Sequence, residues 1–231
     1  MQVVIDIDGT LCFNNRAFFF QLCNTTFELG IASDRFAGMT HADFLAQPEV
    51  IALRSQLGAD LFAHRLGWLN FHPQAILAAL PIPGAVEGVA TLADLGPVSY
   101  YTARFSSNKQ RHAAIVSSTQ QWLVDHQFIH PHRVTFCDGI QDKLLLLMQL
   151  ARDTGEYVVL VDDSYERLLA ILASIADEQA RSAFLSKFML IAVRARELPA
   201  QTHNVRLLAL PHWRDIKTLI QHIQYEEIVC S

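Results

Sequence analysis

Five short apolar runs, at 3–7, 98–102, 133–137, 157–161 and 188–193, are rich in Val, Ile, Tyr and Phe and alternate with longer segments of helical periodicity. That order predicts an α/β fold, a Rossmann-like parallel sheet of about five strands flanked by crossover helices. The run at 157–161 (Tyr-Val-Val-Leu-Val) is apolar without alternation, the pattern of a central strand covered on both faces. Helical patterning covers about 84–95, 107–127, 141–153, 164–181 and 212–224. Pro83-Gly84 opens the first of these and Gly96-Pro97 closes it. Ser106 or Ser107 is expected to cap the second, and Asp163 or Ser164 the fourth.

One stretch breaks the alternation. Residues 13–80 carry helical patterning (Phe18, Phe19, Leu22, Phe27, then Phe44, Ile51, Leu53, Leu57, Leu61, Leu66) and no convincing strand. A parallel crossover needs little more than a dozen residues, so an insertion this long is expected to form a small helical domain of its own. The predicted division is therefore a Rossmann-like core over 1–12 and 81–231 and a helical insertion over 13–80.

Composition narrows the function classes. Hydrophobic residues make up 51% of the 231 and charged ones 18%, which excludes disorder. A net charge of -5 offers no global basic field for a nucleic-acid duplex. Cys12, Cys23, Cys137 and Cys230 lie far apart with no CxxC pair, as scattered reduced thiols would. The N-terminus shows no basic region ahead of an apolar stretch, and no window reaches the roughly 18 uninterrupted apolar residues of a membrane span. A cytoplasmic protein, with no membrane contact, is expected.

The chemistry-bearing residues sit at predicted strand ends. Asp6 and Asp8 are two apart where the first strand ends, on one side of the pleat if the strand continues that far. Asp162-Asp163 follow the most apolar strand, where one of them can equally serve as a helix cap. Thr102 ends the second strand, and Lys143 stands near the start of the helix after the third. Carboxylates at the C-terminal edge of a parallel sheet stand where ligands of open α/β folds bind. Burying several together costs several kcal/mol per ion unless a cation compensates, which points to Mg2+. A hydroxyl and an ammonium at the same edge suit an anion with several oxygens.

The motifs Asp6-Ile7-Asp8-Gly9-Thr10-Leu11, Thr102, Lys143 and Asp162-Asp163, with the long helical insertion, resemble the haloacid dehalogenase-like (HAD) hydrolase superfamily in its helical-cap form. The resemblance implies a phosphohydrolase that cleaves a small phosphomonoester. Asp6 is then the nucleophile that becomes an aspartyl-phosphate. Asp8, taken as protonated, is the acid for the leaving oxygen and afterwards the base for water. Thr102, Ala103 and Lys143 hold the phosphoryl group. Mg2+ is held by Asp6, the Asp8 carbonyl and Asp162, with Asp163 in support. On that charge state Mg2+ and Lys143 only balance the remaining three carboxylates. An aspartate at position 8 favours phosphate over halide chemistry.

The segment Tyr101-Thr102-Ala103-Arg104 is similar to the second motif of the 5'-nucleotidase and deoxyribonucleotidase branch, which makes a nucleoside 5'-monophosphate the first substrate to consider. Arg104 and Phe18 are the candidate substrate contacts. Phe13, Phe18 or Phe19 could offer a ring to stack a base, although Phe18-Phe19-Phe20 reads first as the core of the helical insertion. His130-Pro131-His132 reads as an exposed loop before a strand. Arg16, Arg35, Arg54, His64 and Arg65 are insertion cations that could face the cleft, and the 164–181 helix and the tail at 225–231 offer apolar surface for an oligomer contact. The alternatives from other classes are a phospho-accepting signalling domain, in which the acidic pair would precede the phosphorylated aspartate, and a non-catalytic binding protein on the same fold.

Overall fold

In the computed structural model, six strands pair side by side, all parallel. They are β1 (Gln2–Ile5), β4 (Val98–Thr102), β5 (Val134–Phe136), β6 (Val158–Asp162), β7 (Phe188–Val193) and β8 (Arg206–Leu210), in the order β5-β4-β1-β6-β7-β8. A separate antiparallel ribbon joins β2 (Cys12–Phe13) to β3 (Leu80–Pro81). The structure describes residues 1–200 and 202–230, without the side chains of 224–230.

Central position explains the sequence of β6. Val159 and Val161 belong to one apolar cluster with Val3 and Ile5, while Val158 and Leu160 belong to the opposite cluster with Val4. Every residue of β6 is buried. Helices α6 (Ala85–Leu92), α7 (Lys109–Asp125) and α11 (Ile216–Cys230) contribute to the first cluster; α8 (Gly139–Thr154), α9 (Tyr165–Ser174) and α10 (Glu178–Leu185) contribute to the second. Continuous apolar character thus reflects a strand that must satisfy both layers.

Between the ribbon strands lie α1 (Arg16–Phe27), α2 (His41–Leu45), α3 (Pro48–Leu57), α4 (Ala59–Leu69) and α5 (Pro73–Leu77). These helices and the turn at 33–36 bury a cluster of their own, rich in aromatics: Phe19, Phe20, Phe36, Phe44 and Phe62, with Phe20 and Phe44 stacked at 4.5 Å. The Phe19-Phe20 run is core packing, at helical spacing, rather than a ligand platform.

Several boundaries differ from expectation. The sheet has six strands rather than about five, because 206–210 pairs with β7 as the parallel edge strand β8. The 164–181 segment is two helices, since Asp177 starts α10 by accepting from the Ala180 amide. Asn108, not Ser106 or Ser107, caps α7. Neither Asp163 nor Ser164 caps α9 with its side chain; the Asp162 Oδ1 accepts from the Ser164 amide at 2.7 Å. Cys12, Cys23 and Cys137 are buried free thiols. The Cys230 thiol and the side chains of the 225–231 tail lie outside the described residues. Among the described residues no helix is long and apolar enough to cross a membrane.

Candidate active site

The parallel pairing of β1 with β6 and β4 brings their C-terminal ends to one edge. The Asp6 amide donates to the Val161 carbonyl, so Asp6 stands beside Asp162 at the top of the two central strands. From the first turns of α8, Lys143 reaches over that edge: its Nζ is 2.6 Å from Asp6 Oδ1 and 2.9 Å from Asp162 Oδ2. All three side chains are buried. Carboxylate oxygens of Asp6, Asp162 and Asp163 lie within 4.8 Å of one another, the only such cluster among the described residues.

Asp8 turns elsewhere. β1 ends at Ile5, so the pleat does not carry Asp6 and Asp8 to the same partners. Arg104 donates to both Asp8 oxygens, Nε to Oδ2 and Nη2 to Oδ1, each at 2.8 Å. Its Nη1 donates to Thr119 Oγ1 at 3.1 Å, and Nη2 also lies 3.5 Å from Cys12 Sγ. Bidentate geometry of this kind is the strong form of the interaction. Burial acts to raise the Asp8 carboxyl, but the Arg104 guanidinium overcomes it and holds the group below the ordinary carboxylate range. Asp8 is therefore an ion-paired carboxylate, which corrects its expected protonated state.

The third carboxylate depends on a glycine and on an arginine the sequence reading passed over. Gly9 has φ +79°, and a Cβ there would land on the Asp163 carboxylate. A glycine is thus required both by the backbone and by the close approach. Asp163 Oδ2 accepts from Arg194 Nη2 at 2.7 Å, while its amide donates to Thr10 Oγ1. Arg194 follows the last residue of β7, has φ +61°, and lays its guanidinium 5.1 Å from the Phe13 ring centre. Its position one residue beyond a predicted strand, on the ligand edge of the sheet, was the available signal.

Charge bookkeeping follows from these pairs. Arg104 answers Asp8, Arg194 answers Asp163, and Lys143 alone faces both Asp6 and Asp162. One negative charge remains uncompensated in a buried site. Burial, assisted by Asp162 and Asp8, accordingly drives Asp6 well above the ordinary carboxylate range despite Lys143, and the two carboxylates raise Lys143. Burial and Asp162 also raise Asp163, against Arg194. An all-oxygen donor set with surplus negative charge fits a hard divalent cation such as Mg2+. A +2 ion would turn the deficit into a net charge of about +1, positive rather than merely balanced.

Thr102 is buried at the end of β4, where its hydroxyl accepts from the Arg104 amide at 3.3 Å, and Ala103 follows it half-buried on the same edge. A cleft of about 350 Å³ opens beside Asp8 and Gly9, walled by Cys12, Phe13, Asn14, Asn70 and Phe71. Asn14 Nδ2 donates to Asn70 Oδ1 at 3.1 Å across it. Two expected contacts are absent from this wall. Phe18 packs instead against the aromatic cluster of α1–α4, and Phe13 presents the ring. Arg104 is 1% exposed and fully committed to Asp8, Thr119 and Cys12, so it is a partner of Asp8 and not a substrate contact.

No family model matches the chain, and no curated protein matches it. Solved structures similar to it include a HAD family hydrolase from Deinococcus radiodurans R1 with bound phosphate and sodium (14% identity, covering 96% of this chain and 95% of that one, TM-score 0.46). Others are a HAD-superfamily hydrolase, subfamily IA, variant 1, from Geobacter sulfurreducens PCA (16%, 94% and 95%, 0.48) and a haloacid dehalogenase-like family hydrolase from Xanthomonas campestris (13%, 98% and 96%, 0.49).

Proposed function

We propose that the chain is a Mg2+-dependent phosphohydrolase of the haloacid dehalogenase-like superfamily that cleaves a small phosphomonoester through an aspartyl-phosphate on Asp6. The observation that carries this reading is the clustering of Asp6, Asp162 and Asp163 at the C-terminal edge of β1 and β6, with the buried Asp6 and Asp162 sharing a single ammonium, Lys143. A buried aspartate left with surplus negative charge around it is a nucleophile awaiting a cation and an electrophile.

The residues divide the work as follows. Asp6, Asp162 and the Asp8 carbonyl hold Mg2+, with Asp163 beside them, and the ion supplies positive charge against the phosphoryl oxygens. Lys143 orients Asp6 and, with Thr102 and the Ala103 amide, binds the transferring group. An Asp6 oxygen attacks phosphorus as the ester oxygen leaves. Water then attacks the aspartyl-phosphate and the Asp8 carboxylate accepts its proton, releasing phosphate and restoring Asp6; Asp8 gives that proton up to solvent and the departed oxyanion takes one from solvent, which resets the site with Asp8 ionised. Because Asp8 enters the first step ionised against Arg104, an ester oxygen that is a weak base departs most readily.

In the same reading, residues 13–80 form a helical cap over a core made of 1–12 and 81–231, and Phe13, Asn14, Asn70 and Phe71 meet the substrate beyond the phosphate. The substrate is a small phosphorylated metabolite in the cytoplasm, with nucleoside 5'-monophosphates the first class to assay because the cleft offers an aromatic ring and two carboxamides. The test is a panel of ribo- and deoxyribonucleotides, sugar phosphates and p-nitrophenyl phosphate, with Mg2+ and with EDTA. Metal-dependent turnover with a nucleotide leading is expected. A sugar phosphate preferred by about tenfold in kcat/KM, about 1.4 kcal/mol, rejects the nucleotide assignment, and turnover undiminished by EDTA rejects the metal.

A further inference from the structure

A second pocket, lined by two arginines, lies outside the catalytic cleft. A pocket of about 440 Å³ is lined by Arg65, Trp68, His64 and His72 of the helical insertion, by Phe27 at the end of α1, and by Arg111 of α7. It shares no lining residue with the Asp8 cleft. The two approach each other where α4 leads into α5: Asn70 and Phe71 of the connection line the cleft, and Trp68 of α4 and His72 line the pocket.

Three independent features describe what the pocket would take. Neither Asp nor Glu lines it, and among the described residues neither Arg65 nor Arg111 forms an ion pair. Arg111 stands in the first turn of α7 beside Lys109, a turn that carries no acid, although a helix start favours negative charge. Arg65 and Arg111 are both exposed, so an anion can reach the two guanidiniums from solvent. The aromatic side is as specific. Arg111 lies over the Trp68 ring at 4.4 Å, which fixes the guanidinium against the indole. The Nε1 of Trp68 is shielded from solvent with no hydrogen-bond partner, whereas those of Trp122 and Trp213 donate to the Ala79 and Thr10 carbonyls. The volume falls within the roughly 300–1,000 Å³ of small-molecule sites.

We infer that this pocket is a second ligand site that binds a small aromatic phosphate, the ring against Trp68 and Phe27 and the phosphate between Arg65 and Arg111. Such a ligand would tie the helical insertion to α7 of the core, across the connection whose other residues wall the cleft. The site stands on its own residues and does not depend on the phosphohydrolase reading.

Intrinsic tryptophan fluorescence tests it, because Trp122 and Trp213 are buried in the core and Trp68 is the indole at the pocket. The full-length protein is titrated in EDTA with adenosine 5'-monophosphate, adenosine or inorganic phosphate, with calorimetry in parallel. The expected result is saturable binding of the nucleotide with Kd below about 1 mM, and at least about tenfold weaker binding of adenosine and of phosphate alone. Arg65→Ala/Arg111→Ala should weaken the nucleotide by at least about tenfold while the melting temperature stays within about 2 °C. Trp68→Phe should remove the fluorescence signal and keep the calorimetric one. Nucleotide affinity unchanged in the double variant, or no saturable binding up to about 10 mM, overturns the inference. Both readouts are independent of turnover, so an inactive wild type would count against the phosphohydrolase reading and leave this one intact.

Discussion

Arg104 grips both oxygens of Asp8 from inside the core, yet the two partners are unequally exposed: the arginine side chain is 2% accessible and the aspartate 42%. Removing either leaves a different orphan. Asp8→Ala strands a buried guanidinium with only Thr119 and Cys12, whereas Arg104→Met leaves a carboxylate that water can reach. We expect Asp8→Ala to lower the unfolding free energy by about 3–5 kcal/mol, the cost of an uncompensated buried charge, and Arg104→Met by less. The double variant should recover part of the Asp8→Ala loss. Urea denaturation of the three proteins checks the order.

The same pair gives stability a sign in pH. The folded Asp8 carboxyl is held below its unfolded value, so its contribution is present above the unfolded pKa, near about 3.9, and is lost as pH falls through the folded value. Wild-type protein should therefore lose more stability than Arg104→Met on going from neutral pH into that acid range. Urea midpoints of the two proteins across it should converge.

Catalytically, an ionised Asp8 is a ready base and a poor initial acid. The rate of phosphoryl transfer should fall as the leaving oxygen becomes more basic, with aryl phosphates at least about tenfold ahead of alkyl phosphates in kcat/KM. A flat dependence on leaving-group pKa would mean that Asp8 carries a proton in the enzyme–substrate complex.

Gly9→Ala puts a methyl where the Asp163 carboxylate sits and demands a left-handed backbone of a residue that resists it. Mg2+-dependent turnover should fall by about a hundredfold or more, because a misplacement of about 1 Å near the reacting groups has that effect. The Mg2+ concentration for half-maximal activity should rise with it.

What could be read from the sequence, and what could not, follows from the range of each signal. The strand at 98–102 and that at 188–193 have the predicted bounds: the second is an apolar run buried at every residue, and the first is rich in aromatic and β-branched residues with alternating burial, so both mark themselves locally. The same locality assigns Asp6, Asp162 and Lys143 to one sheet edge from strand ends alone. β8 escaped notice because its Arg-Leu-Leu-Ala-Leu run holds no β-branched or aromatic residue and, as an edge strand, is only partly buried. Arg104 stands out in the sequence through the Tyr101-Thr102-Ala103-Arg104 segment, as a candidate substrate contact and not as a partner of Asp8. Its pairing with Asp8 spans 96 positions of sequence, and neither spacing nor periodicity reports a contact of that kind. Phe18 misled for the opposite reason: an aromatic run at helical spacing fits both a stacking platform and a helix core, and only packing separates Phe18 from Phe13.

The claim on which the rest depends is that Asp6 is the nucleophile. The direct measurement is p-nitrophenyl phosphate turnover with Mg2+ by wild-type protein and by Asp6→Asn, folded to the same extent by circular dichroism. The account predicts turnover in the wild type and a loss of at least about a thousandfold in kcat for the variant. Activity in Asp6→Asn undiminished, or reduced by less than about tenfold, would contradict it.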